Sequence, residues 1–315
     1  MLSLRVNTPA GLSDAVREYL ERDPTVSSLT VVPGGSVRPP GDLILADIPR
    51  ERANDIIDDL VALGVQNEGT ITLASVDTWV SRRGLEAEER APGLGPDAVV
   101  WSQVTEKAYS ETAFTWTYAS FMVLATLLAA IAIVTDSTIL VIGAMVLGPE
   151  FVPIAALGLA LVRRRPVLLR RAITTLALGF AISIGIVTTL AFVLHSLHVL
   201  TGNTNLEART ATSFIYQPNA WSIVVALIAG AAGVLSLTSA KGNGLVGVFI
   251  SVTTIPASGN VALAIALGVW SQALGSALQL VINIIGMALA GWATLALQQQ
   301  VWKRSERRSL RRAQR

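Results

Sequence analysis

From residue 114 onward the chain is a succession of six apolar segments, 114–134, 138–162, 173–197, 220–240, 244–269 and 274–298. Each is long enough to cross ~30 Å of hydrocarbon as a helix. A water-soluble core cannot absorb six such runs, so the pattern predicts an integral membrane protein with six transmembrane helices. Composition agrees. Of 315 residues 52% are hydrophobic and 15% charged, and the mean hydropathy is +0.56; a soluble domain carries about 25% charged residues. There is no cysteine, which excludes disulfides, thiol catalysis, zinc ribbons and iron–sulfur clusters. His195 and His198 are the two histidines, too few for a multi-histidine metal site. No cofactor is expected.

Charge divides the chain. Residues 1–112 hold 18 Asp or Glu and 10 Lys or Arg; residues 113–315 hold 4 acids and 14 bases. The first part is therefore an acidic soluble domain and the second a membrane domain basic at its segment ends. No apolar run precedes residue 114, so no cleavable leader is expected.

The soluble part alternates between strand and helix periodicity. Strands are expected at 2–6, 26–32, 42–48 and 69–76, and helices at 10–22 and 50–63, with Gly64 as a stop. The segment Pro33–Gly41 reads as a loop. Its Gly34-Gly35 pair fits a hairpin better than an anion cradle, because no helix follows. The order βαββαβ is the split pattern of an N-terminal α+β ferredoxin-like domain over 1–80. Residues 82–98 read as a linker, inside a connecting region of 81–113. Within 100–113, Val100, Trp101, Val104 and Ala108 share one helical face. That helix either lies along the membrane surface or packs on the soluble domain.

Lys and Arg set the expected orientation of the membrane domain, 114–300. The 163–172 connection carries Arg163, Arg164, Arg165, Arg170 and Arg171, the 241–243 turn carries Lys241, and the tail 301–315 carries seven bases. The opposite connections hold one base, Arg209. By the positive-inside rule, both termini are cytoplasmic in a multi-pass protein of the cell membrane. The basic tail, placed directly after a span, fits anionic lipids rather than nucleic acid.

A shift of 107 residues aligns segments one to three with four to six. Pro149 then falls on Pro256, Gly179 on Gly286 and Asp136 on Asn243. Three spans per copy force the second copy to insert upside down. The fold class is thus a membrane all-α domain of six transmembrane helices, arranged as two inverted three-helix repeats with broken second and fifth spans, the arrangement of many transporters. Small-xxx-small spacing, Gly179 with Ser183 and Gly286 with Ala290, suits close helix packing within a subunit or in a homo-oligomer.

Glu150 lies in the middle of the second segment, where a charge costs ~2.5–3.5 kcal/mol on insertion scales. Gly148 and Pro149 precede it and Pro153 follows. Proline removes an amide hydrogen and pushes the preceding residue out of helical geometry. The segment should break there, freeing the Met145 and Pro149 carbonyls. The fifth segment repeats the theme around Pro256, which should free the Val252 carbonyl, with Ser251, Thr253, Thr254, Ser258 and Asn260 nearby. Asn283 is a further midplane polar group. The candidate ion- or substrate-binding set is therefore Gly148, Pro149, Glu150, Pro153, Pro256, Ser258, Asn260, Asn283 and Asp136. A carboxylate with neutral oxygens suits protons or hard cations; no metal is specified. Two readings of Glu150 stay open, a binding group or a cap on the second half-helix. Asp136 reads more readily as a turn cap.

The run D-S-T-I-L-V-I-G-A-M-V-L-G-P-E-F-V-P-I at 136–154 resembles the domain of unknown function 389 family of prokaryotic membrane proteins, as do GDLILADIPRERANDIIDDLVALGV and GTITL within 41–73. The resemblance extends over nearly the whole chain. It supports the architecture and implies no reaction. Family members read Pro-Pro in the fifth span, where this chain has Ile255-Pro256.

A transporter or channel for an ion or small solute, regulated by the cytoplasmic domain, is the leading expectation. The alternative is a membrane-anchored sensor or scaffold whose soluble domain binds a ligand or partner. An enzyme is not expected: paired catalytic acids and a His-Glu-x-x-His pattern are both missing from the sequence.

Overall fold

The computed structural model describes residues 1–91, 98–198, 215, 220–238 and 245–313, without the side chains of 220, 245–253 and 302–313. Arg209, Lys241 and Asn243 lie outside the described residues, as do the side chains of Ser251, Thr253 and the basic tail. The chain divides into two compact units, one centred on Met1–Val104, the other on Thr105–Leu237 with Gly242–Gln299.

In the first unit, β1 (Leu2–Pro9), α1 (Ala10–Arg22), β2 (Ser28–Val37), β3 (Pro40–Ile48), a 3-10 turn (Arg50–Arg52), α2 (Ala53–Ala62), α3 (Val65–Glu68) and β4 (Thr70–Ser75) follow one another. The sheet order is β2-β3-β1-β4, and every neighbouring pair is antiparallel. Alternation builds the core. Leu2, Leu4 and Val6 on β1 and Ile44, Ala46 and Ile48 on β3 point to one face. Val16 and Leu20 of α1, with Ile56 and Leu60 of α2, cover them at helical spacing. This is a mixed α/β domain with an open four-stranded sheet. Gly64 stops α2 in the left-handed region, at φ 86°.

Two expectations fail here. The loop expected at Pro33–Gly41 is mostly strand: β2 runs to Val37, and the pairing register shifts between Val32 and Ser36. The Pro-Gly-Gly step is a bulge, which absorbs extra residues without ending a strand. Gly34 takes φ 66° and its N–H donates to Asp42 Oδ1 at 2.8 Å, so the glycine turn cradles an anion of its own chain. Hydrogen bonds from Ser13 and the Gly34 N–H hold the Asp42 carboxyl below the usual range. The expected linker begins with a helix, α4 (Arg82–Arg90). Ser81 caps it by accepting from the Gly84 N–H at 3.1 Å, and Glu86 pairs with both Arg82 and Arg90. Those i,i+4 charges are helix chemistry.

Next comes α5 (Trp101–Glu111). Its approach is tied to the sheet unit: Val100 joins the core, Asn54 Nδ2 donates to the Val99 carbonyl at 2.7 Å, and the Trp101 N–H donates to Asn54 Oδ1 at 3.0 Å.

The second unit is helical: α6 (Trp116–Val134), α7 (Thr138–Leu147), α8 (Phe151–Val162), α9 (Pro166–Ser196), α10 (Ala220–Thr238), α11 (Leu245–Ala266) and α12 (Trp270–Ala313). Among the described residues, α6, α9, α10 and α12 are long and apolar enough to cross a membrane, and α7 with α8 counts as a fifth if the bent pair is one span. The described apolar stretch of α11 is shorter, Thr254–Ala266. Large apolar side chains such as Leu124, Ile131, Ile228, Val281 and Ile285 face outward. An outer surface of that kind belongs in lipid, and the chain is a multi-pass membrane protein.

Three connections use one turn geometry. Ser137, Arg165 and Val269 donate their N–H to the carbonyls of Ala132, Ala160 and Ala264 at 2.9, 2.9 and 2.8 Å. The residue before each is left-handed: Asp136 at φ 47°, Arg164 at 50° and Gly268 at 73°. This is the Schellman closure, which satisfies the last carbonyls of a helix. The 163–172 connection therefore shrinks to three residues, and Arg170 and Arg171 ride on α9.

The break expected in the second segment is present, a 58° bend between α7 and α8. The break expected in the fifth is absent: α11 runs unbroken with Pro256 inside it. Every residue of 152–160 and of 254–264 is buried, so α8 and α11 are enclosed by neighbours, α11 by α6, α7 and α9 among them.

Candidate functional site

The break is three residues long. Pro149 disfavours helical geometry at Gly148, which takes φ −64° and ψ 118°. Gly148 turns its N–H to the Met145 carbonyl at 3.4 Å, so that carbonyl is not left free as the proline alone would leave it. Pro153 breaks nothing. It stands in the first turn of α8, where amide hydrogens have no intrahelical acceptor, and the helix starts cleanly with the Ile154 N–H on the Glu150 carbonyl at 3.0 Å.

Glu150 occupies the N-cap position of α8, yet its side chain makes no cap hydrogen bond. Instead Oε1 accepts from Thr254 Oγ1 of α11 at 2.8 Å. Both residues are 0% exposed. The carboxylate thus reaches across the unit to a second helix. Tyr118 of α6 is buried as well. It lies over Gly179 of α9, where an added Cβ would meet the ring at 2.8 Å.

One turn along α11, Ser258 Oγ donates to the Ile255 carbonyl at 2.8 Å, which leaves Thr126 of α6 as donor in the 3.2 Å contact between the two hydroxyls. Asn260 Nδ2 donates to Ser276 Oγ of α12 at 2.8 Å. Gln272, Ser276, Gln279 and Asn283 are all buried on α12, at spacings of four, three and four, hence on one face.

The expected residues sort accordingly. Gly148 and Pro149 shape the break that turns Glu150 toward Thr254. Pro256, Ser258 and Asn260 follow Thr254 on the same helix, and Asn283 is buried on α12. Asp136 is not brought to Glu150. It is the left-handed residue of the α6–α7 turn, and α7 separates the two by about 15 Å of helix rise. Thr126, Tyr118, Ser276 and Gln279 were missed. The spacing of 272, 276, 279 and 283 inside an apolar segment was the signal for the α12 pair.

Among the described residues, the buried charged side chains are Glu51 in the sheet unit and Glu150. No buried Lys, Arg or His accompanies them there, and no cluster of three His, Cys, Asp or Glu is formed. Glu150 is a buried carboxylate with the Thr254 hydroxyl on one oxygen.

The chain is 29% identical over 171 residues to Uncharacterized protein MJ0678 of Methanocaldococcus jannaschii, an alignment covering 54% of this chain and 50% of that protein. The chain thus spans about half the length of this curated relative. No solved structure matches it. Residues 145–289, the stretch that holds Glu150, Thr254, Asn260 and Asn283, match the family described as Domain of unknown function (DUF389), the uncharacterised family of hydrophobic membrane proteins that the run at 136–154 resembles.

Proposed function

We propose that the membrane unit carries an ion or small solute across the bilayer, with Glu150 as the binding group where two inverted three-helix halves meet. The six spans are α6, α7 with α8, and α9, followed by α10, α11 and α12. The observation that carries the reading is the Thr254–Glu150 hydrogen bond, which spends the carboxylate on another helix and not on its own.

The turns supply the register of the halves. Arg163 and Leu267 open matching turns, 104 residues apart. Glu150 and Thr254 each stand 13 residues before their turn, so the bonded pair occupies one position in both halves. Two equivalent positions in mutual contact are what a two-fold axis requires. A second contact supports the same axis. A Cβ on Gly158 would lie 2.9 Å from the Trp292 nitrogen; moved by 104 residues in opposite directions, that pair becomes Ala262 and Thr188, and Thr188 Oγ1 donates to the Ala262 carbonyl at 3.3 Å. The shift of 107 read from the sequence differs by three residues from the shift of 104 at the turns, and in the register of the turns Gly179 falls on Asn283 rather than on Gly286.

By the basic residues, the sheet unit and the Arg163–Arg165 turn face the cytoplasm, and the tail meets anionic lipid there. The sheet order β2-β3-β1-β4 supports a ferredoxin-like domain over 1–80, joined through 81–113 and regulating the spans. The test is flux in proteoliposomes. Protein with native Glu150 should carry protons or a monovalent cation, and Glu150→Gln should carry neither while keeping its fold. Equal flux in both would sink the site.

A further inference from the structure

α9 and α12 bury the same positions with different chemistry. Positions 168, 172, 175, 179, 183, 187 and 191 of α9 are buried, and so are their counterparts 104 residues later on α12. On α9 the four nearest the turn are Leu168, Ala172, Thr175 and Gly179; on α12 they are Gln272, Ser276, Gln279 and Asn283. Packing therefore does not demand four polar residues, since of the four twins on α9 Thr175 alone is polar, its hydroxyl donating to the Thr112 carbonyl at 2.8 Å. One member of the set is costly. A buried polar group left unsatisfied costs about 1–3 kcal/mol, and Gln279, 4% exposed, has an Oε1 with no hydrogen-bond partner in the protein.

The stripe also leads somewhere. α11 and α12 run antiparallel about Gly268, and the bonded pair Asn260 and Ser276 lies eight residues to either side of it. By the same count Asn283 stands level with Thr253 and Thr254. The stripe starts two residues into α12 and reaches the depth of the Thr254–Glu150 bond after about 16 Å of helix. Its side chains are amides and a hydroxyl, which both donate and accept. Such groups order water and hand protons along it; they bring no charge that would strip a metal cation of its hydration.

We propose that the Gln272–Asn283 face of α12 is a one-sided path by which protons reach Glu150 from the membrane surface at the α11–α12 turn. A hydronium ion at the inner end gives its proton to a Glu150 carboxylate oxygen and leaves water; the reverse step returns it. The path rests on the reading of Glu150 as the binding group.

The absence of cysteine makes the test clean. Ser276→Cys and Gln279→Cys are compared with their α9 twins, Ala172→Cys and Thr175→Cys, in the full-length protein in proteoliposomes. A charged, membrane-impermeant methanethiosulfonate reagent is supplied on both faces. Thiols react as thiolates, which need water, so the α12 variants should label at least about tenfold faster, the effect of one pKa unit on thiolate fraction. Ser276→Cys exchanges one atom and guards against a folding artefact. Equal rates on both helices, or no labelling of either α12 variant, overturns the path. Labelling needs no transported substrate, so the two readings fail separately. Flux lost in Glu150→Gln without α12 labelling overturns the path and keeps the carrier. Flux retained in Glu150→Gln overturns the carrier site and with it the destination of the path.

Discussion

The broken pair α7–α8 and the unbroken α11 answer one local problem in two ways. Each has a proline in its middle and each is buried along its second part. At Pro149 the preceding residue is Gly148, which loses helical geometry at little cost because glycine gains least from a helix. At Pro256 the preceding residue is Ile255, fully buried in a run that stays helical. Proline alone therefore does not decide a break; the glycine before it and the neighbours around it do. The consequence is chemical. The break turns Glu150 away from its own helix, and the intact helix holds Thr254 rigidly at the point the carboxylate reaches.

Removing the charge is the strongest way to test that contrast. Glu150→Gln keeps size and hydrogen-bonding shape, so flux should fall to background with the thermal midpoint little changed. Thr254→Ser, which keeps the hydroxyl, should retain flux, and Thr254→Val should lose much of it. Equal flux in the serine and valine variants would show that the hydroxyl is not part of the site. Pro149→Ala comes next. It removes the residue that disfavours helix, worth about 3 kcal/mol in a helix interior, and should let α7 and α8 straighten. Flux should drop, and hydrogen exchange at 148–150 should slow. Unchanged exchange there would mean that Gly148 suffices for the break.

Close helix contacts give a smaller effect, read as stability. A Cβ at Gly158 would sit 2.9 Å from the Trp292 nitrogen and 3.0 Å from the Gly291 carbonyl carbon, both backbone atoms that cannot yield easily. Gly158→Ala should cost about 1–3 kcal/mol, the usual range for overpacking. Gly259→Ala, which would meet Ala129 Cβ at 2.8 Å and the Ala130 nitrogen at 3.0 Å, should cost a similar amount. Gly185→Ala, with nothing within 4 Å, should cost nothing. Thermal unfolding in detergent ranks the three, and a stable Gly158→Ala would contradict the packing of α8 on α12.

Much of the framework was legible in the chain. The apolar segments stand where the helices stand, α1 has its expected ends, and Gly148–Pro149 announced the break. What was hidden depended on tertiary enclosure or on pairing. Pro256 obeys the same local rule as Pro149, and only the packing around α11 overrides it. The Pro33–Gly35 step reads as loop until a partner strand shows it to be a bulge. The charges of 82–90 read as a solvated linker, although Glu86 sits four residues from both Arg82 and Arg90 and favours a helix. In the site, Glu150 stood out because a carboxylate in an apolar run is costly. Ser276 and Gln279 did not, because single polar residues in a span are common; only their shared face, seen with Asn260, gives them meaning.

The finest test of the contrast is Pro256→Ala. In α11 the proline removes the donor that would satisfy the Val252 carbonyl, yet the helix persists because its neighbours hold it. An alanine restores that donor without adding bulk, and the net worth of one such hydrogen bond is about 0.5–1.5 kcal/mol. The thermal midpoint should therefore rise slightly, and flux should survive, because Thr254 already stands within hydrogen-bond reach of Glu150 in a continuous helix. A collapse of flux in a well-folded Pro256→Ala protein would reverse the argument. It would mean that the proposed transport uses the loosened carbonyl of α11 as a hinge, and that the two prolines, one in a visible break and one in an intact helix, serve the same motion.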